Sequence, residues 1–270
     1  MNLSIKDLFL EILDFDGDHI FETLIKKWVL ENNYKSIMSN ISQKILNDKI
    51  VLSQDDIWEL YALSRVLDVL TLQFQTNNHA DGEWSGTKIS ILEYIEFNHL
   101  IGLETFTPEP FHTFNCEIID VQAGTRDFQI IEQYSPAVKL KNLMIKRAGV
   151  KLSLDPALYD LELINQAAIY WTYWRKNKKF FDLSQGWGVN SQWGTDFRLD
   201  LETKDCFIYN ILGEQDLNTP NSDTITELHD SNLEIEEAIE LVKFRHFMTC
   251  TKDDSDLFPY DYKYIESKCS

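Results

Sequence analysis

The spacing of apolar residues changes near residue 111 of this chain, and that change limits the folds open to it. Up to about residue 75 the apolar positions recur at the helical interval. Ile20, Leu24 and Trp28 fall on one face with Phe21, Ile25 and Val29 beside them, residues 34–46 keep the same period, and Trp58, Tyr61, Leu63, Val66, Leu67, Leu70 and Leu72 form a broad apolar surface. Ser53-Gln54-Asp55-Asp56 supplies a cap and an acidic first turn for that last helix. A polar loop at residues 76–87 and a short helix at 89–100 follow, and Pro108 and Pro110 punctuate the next stretch.

From Phe111 the interval shortens to that of a strand. Residues 114–121 read as one strand, Gly124-Thr125-Arg126 as a turn, and 128–134 as its partner; 143–154 reads as a strand pair bent at Ala148-Gly149. A helix is expected from Asp155-Pro156 to the basic cluster 175–179, with Leu161, Ile164, Ala168 and Trp171 on one stripe and Leu163, Ala167, Tyr170 and Trp174 on a second. A Trp/Gly loop at 185–194 follows. Beyond it, residues 195–201 alternate: Phe197, Leu199 and Leu201 point one way, Asp196, Arg198 and Asp200 the other, and 206–212 closes a hairpin. Asp230-Ser231-Asn232 is expected to cap a helix running to about Phe247. The order predicts an α+β fold. A helical region at 1–105 precedes an α+β region at 106–270, a mixed antiparallel sheet with packed helices and an acidic C-terminal tail, or both form one compact unit.

Charge narrows the function classes. The formal net charge is −19 over 270 residues, which would repel a nucleic-acid backbone as main partner. Residues 214–270 hold 14 Asp and Glu against 5 Lys and Arg, and residues 253–264 interleave acids with Phe258, Tyr260, Tyr262 and Tyr264. Such a tail either docks on a basic partner or packs along the protein's own surface. The start of the chain has no uncharged h-region, and no apolar run approaches the length of a membrane span, so a cytoplasmic location is expected. Four scattered cysteines, Cys116, Cys206, Cys250 and Cys269, fit reduced thiols.

Residue pattern offers two kinds of site. Glu117, flanked by apolar residues, is the carboxylate expected to be buried, with Arg126, Arg147 or Arg198 to pair it. Together Glu117, Asp196 and Arg198 would be the acid/base and anchoring groups of an enzyme, with Trp187 and Trp193 as stacking walls; Arg147, Asn190 and Gln192 complete the candidate binding residues. The alternative is a solvated strand face over a Trp-filled corner of the core. Asp14-Phe15-Asp16-Gly17-Asp18 is better read as a turn and helix cap than as a calcium loop, since Gly17 is at the fourth position and Ile25 stands at the twelfth. His79, Asp81 and Glu83 lack a second ligand cluster, so neither metal nor cofactor is expected.

Residues 117–121, 147–150, 170–175 and the run from Gly186-Trp187-Gly188 to Asp196-Phe197-Arg198 resemble a bacterial protein family with no assigned activity. The likeness covers 111–213 and is most specific at Asn190-Ser191-Gln192-Trp193, while Val189 and Leu199 stand where that family has polar residues. It implies a shared fold segment. Without a P-loop, GxGxxG, GxSxG or HExxH, the expected function is an acidic binding protein that neutralises a basic protein partner, as immunity proteins, antitoxins and phage inhibitors do. The alternatives are an enzyme acting on a small polar or nucleotide-like substrate and a subunit of a larger assembly.

Overall fold

Capping boxes open three of the N-terminal helices. In a computed structural model, which describes residues 4–46, 49–75, 86–125, 128–180, 193–249, 257 and 259–268, Ser4 Oγ accepts the Asp7 amide while the Asp7 carboxylate accepts the Ser4 amide, starting α1 (Ile5–Asp14). A π-helical turn (Phe21–Ile25) leads into α2 (Lys26–Asn32), which stops at Asn33 with φ 48°, where α3 (Tyr34–Gln43) begins. The hairpin β1 (Ile45–Leu46) and β2 (Lys49–Ile50) precedes α4 (Gln54–Thr71), opened by Ser53 and Asp56 as expected. Ser90 and Glu93 open α5 (Ile91–Leu100) in the same way. Residues 14–18 form a helix end and a bend.

Strands β3 (Glu104–Phe106), β4 (Cys116–Ala123), β5 (Gln129–Ser135), β6 (Ala137–Leu140), β7 (Leu143–Lys146) and β8 (Ala148–Leu154) follow. Then come α6 (Leu161–Gln166), β9 (Asp200–Glu202), β10 (Cys206–Tyr209), β11 (Gln215–Asp216), α7 (Ser222–Asp230), α8 (Ile235–Phe244) and β12 (Tyr262–Ser267). The fold is α+β. A seven-stranded sheet has the order β11-β12-β10-β9-β7-β6-β3, antiparallel except for β11 with β12. A second sheet has the order β4-β8-β5, with β4 and β8 parallel.

The large sheet is buried on both faces. Val138, Leu140, Leu143, Ile145, Leu199 and Leu201 pack with helices α1–α5, whereas Ala137, Met144, Tyr209 and Tyr262 pack with the small sheet and α6–α8. The two halves of the chain therefore meet across one sheet. Alternation along β7 explains the division: Leu143 and Ile145 face one core, Met144 the other.

Several expected elements are rearranged. The strands at 114–121 and 128–134 do not pair with each other, because β8 lies between them; likewise 143–154 is no hairpin, since β7 and β8 belong to different sheets. The chain crosses from one sheet to the other at Lys146-Arg147. The helix expected from Asp155 is only α6, capped by Asp160, and residues 168–180 run irregularly with Trp171 at φ 57°. Two adjacent apolar stripes also fit an irregular segment buried on all sides, and here polar anchors from distant elements hold it in that form. Ser231-Asn232 ends α7 instead of opening a helix, and Glu234 caps α8. Of the acidic tail, 262–267 is an internal strand of the large sheet, so this part packs on its own protein.

Candidate functional site

The sheet crossing places Lys146 and Arg147 in the interior, where charge must be paired or it is very costly. Asp68 of α4, Glu117 of β4, Arg175 of the irregular segment, Arg198 and Asp200 at the start of β9, and Arg245 at the end of α8 gather around them. Among the described residues every arginine is inward: Arg65, Arg147, Arg175 and Arg198 are buried, and the Arg245 side chain is 12% exposed.

Two subclusters divide the charge. In the first, Arg175 grips Glu117 with both prongs, Nε to Oε1 at 2.6 Å and Nη2 to Oε2 at 3.0 Å, and reaches Asp68 with Nη1 at 3.0 Å. Asp68 also accepts from Lys146 Nζ and from the Tyr173 amide, 2.9 Å away. Two cations thus balance two carboxylates. In the second, three guanidiniums share Asp200. Arg198 Nε is 2.6 Å from its Oδ1, Arg147 Nη2 3.1 Å and Arg245 Nη2 3.5 Å from its Oδ2, and the Asn210 amide donates to Oδ1. The C-terminal carbonyls of α8 help, since Val242 O accepts from Arg198 and Lys243 O from Arg147.

Burial alone would raise the carboxylates, but the facing guanidiniums more than offset it. Glu117 is held by Arg175, and Asp200 by Arg198 and Arg147, well below the usual carboxylate range. Burial and the neighbouring like charges of Arg147 and Arg198 push Arg245 down to about 9; burial, with Arg147 beside it, pushes Arg198 down to about 10. Every one of these groups is charged at neutral pH.

The cluster borders a cavity of about 30 Å³, room for about two waters. Glu117, Asp196 and Arg198, expected from sequence to converge, all line it, with Asp196 exposed. Arg147 lines it as well. Two expectations fail. The partner of Glu117 is Arg175, while Arg147 and Arg198 serve Asp200 and Arg126 lies outside the described residues. Nor is Arg198-Leu199-Asp200 a solvated face, for Arg198 is 4% and Asp200 1% exposed. Trp193 does not line the cavity; it belongs to a cation–π box in which the Arg65 guanidinium lies 3.9 Å from the ring of Tyr173, 4.3 Å from Trp193 and 4.6 Å from Phe9. Trp187, Asn190 and Gln192 lie outside the described residues, as do His79, Asp81 and Glu83. Sequence reasoning passed over Asp68, Lys146, Arg175 and Arg245; a charged residue inside an apolar helical run, as at Asp68, was the available signal.

Outside the cavity, and sharing Trp171, Asp196, Phe197 and Arg198 with it, lies an open groove of about 500 Å³. Exposed Asp196, Glu214 and Asp261 border it, together with Trp171 and Tyr260, whose rings meet edge to face at 5.2 Å. The groove thus offers carboxylates and aromatic rings outside, over guanidiniums within. Among the described residues no group of three His, Cys, Asp or Glu is placed to hold a metal ion, and no helix is long and apolar enough to cross a membrane.

The class the fold and site define is an α+β protein with a cation-rich internal network beneath an acidic, aromatic groove. No family model, curated protein or solved structure matches the chain.

Proposed function

We propose that this is an acidic, cytoplasmic binding protein that neutralises a basic protein partner through the groove around Trp171 and Tyr260. The observation that carries the reading is the groove's chemistry: Asp196, Glu214 and Asp261 supply charge for a lysine or arginine side chain, and the two rings supply faces for a cation–π contact. The remaining surface supports it. Among the described residues four buried arginines against three buried carboxylates place one net positive charge inside, which leaves −20 of the total −19 on the rest of the chain. Such a field speeds encounter with a positive partner.

An enzyme working at the cavity has the convergence of Glu117, Asp196 and Arg198 in its favour. Against it, Glu117 is locked ionised by Arg175 and Arg198 is tied to Asp200, so neither is free to exchange a proton. A subunit role finds less support: α1, α2, α3 and α5 expose single large apolar residues, Leu10, Leu30, Ile37 and Leu92.

Parallel capture from native extract with the wild type and with Tyr260→Ala/Asp261→Asn tests the proposal. A basic protein should be retained by the wild type and bound at least about tenfold more weakly by the variant. Its association should slow markedly between about 0.01 M and 0.15 M salt. Equal retention by both proteins, or association indifferent to salt, would refute the groove as a docking site.

A further inference from the structure

The internal network is balanced on one side and overloaded on the other. Lys146 and Arg175 face Asp68 and Glu117, two against two, but Arg147, Arg198 and Arg245 converge on Asp200 alone. Two positive charges are left over. The end of α8 offsets only about half a charge through its aligned carbonyls. The same side carries unmet hydrogen-bond donors: Arg147 Nε, Arg198 Nη1 and Arg245 Nε have no acceptor, nor does the Thr172 hydroxyl a partner. Arg147, Arg198 and Thr172 are 2%, 4% and 4% exposed, so bulk water does not serve them. All four residues line the cavity of about 30 Å³.

Excess buried charge and idle guanidinium donors around one small space are what an anion site requires. A tetrahedral oxyanion has about the volume of two waters, and guanidinium N–H pairs match its edges. Inorganic phosphate is a mixture of monoanion and dianion at neutral pH, and a field of surplus guanidiniums favours the dianion, which would offset the surplus. Burial and the field of Arg147 lower both Arg198 and Arg245, and Arg198 adds to the effect on Arg245. Of the carboxylates on the walls, Glu117 and Asp68 are already held by Arg175 and Lys146, and Asp196 is exposed and accepts from the Gln54 side chain.

We propose that the cavity bounded by Arg147, Thr172, Arg198 and Arg245 is a binding site for a free compact oxyanion of the phosphate type. The site adjoins the groove and shares Arg198 with it, but its test does not involve the partner.

The test is a thermal melt and calorimetric titration of the full chain, dialysed free of phosphate and sulfate, against inorganic phosphate below about 10 mM, where general salt exclusion is negligible. Sodium chloride at matched ionic strength is the control. A Tm rise of about 5 °C at a hundredfold excess over Kd is expected, with no matching rise in chloride. Arg198→Lys keeps the charge but loses the fork and should weaken binding at least about tenfold. Thr172→Val removes only an unpartnered hydroxyl, so it should fold normally and weaken binding about fivefold; it decides the matter if Arg198→Lys fails to fold. Exposed Lys27→Gln should bind like the wild type. The proposal is overturned if phosphate leaves the wild type unmoved, if chloride acts equally, or if Thr172→Val responds as the wild type does.

Discussion

At the scale of single residues, the network makes the clearest demands. Glu117→Gln or Arg175→Met leaves a buried charge without its partner and should each cost about 3–5 kcal/mol in urea unfolding, whereas Glu117→Leu/Arg175→Met should cost much less than the sum. Additive losses would show that the two side chains do not act as a pair. Lys178 gives a pH signature. Burial pushes it down to about 7; its Nζ donates to Ile164 O and lies 3.2 Å from His246 Nε2, itself pushed far below its ordinary value by burial and by Lys178. Between that value and about 10.4 the unfolded chain binds the extra proton, so stability should rise with pH from about 7 to 9 and stay level, as far as Lys178 is concerned, just below 7. Lys178→Met should flatten the rise in Tm; an unchanged slope would remove Lys178 as its source. The burial of Glu117 was legible from its apolar neighbours, but its partner was not, because Arg175 lies 58 residues away on a segment whose pattern fits a helix.

Among elements, those set by local chemistry were legible. Ser53 and Asp56 announce α4, and Ser53→Ala should cost about 1 kcal/mol in chemical denaturation, with a neutral result denying the capping box its role. The irregular run after α6 was not legible, since what fixes it comes from elsewhere: Asp68 accepts the Tyr173 amide, Gln75 the Lys176 amide, and Ile119 O the Asn177 side chain. Strand β12 depends on a close passage at Gly213, where a Cβ would stand 2.7 Å from the Tyr262 carbonyl carbon and oxygen. Gly213→Ala should therefore cost about 1–3 kcal/mol in the same assay. A fully stable variant would mean that β12 can shift without penalty.

For the molecule as a whole, charge outside and inside have opposite signs. The net −19 predicts self-repulsion that salt relieves, so Tm should rise by about 2–4 °C between about 0.01 M and 0.3 M sodium chloride. A falling Tm would show that exposed ion pairs such as Lys26 with Glu96 outweigh the repulsion. The sequence by itself determined the helical first part, the strand-rich second part, the caps and the acidity, because these follow from residues near one another in the chain and from simple counts. Only the tertiary structure decided that β8 separates β4 from β5, that residues 262–267 enter the sheet, and that the described arginines turn inward. Those outcomes depend on which distant segments meet, and a buried strand edge or guanidinium is stable only once its partner has arrived from another part of the chain.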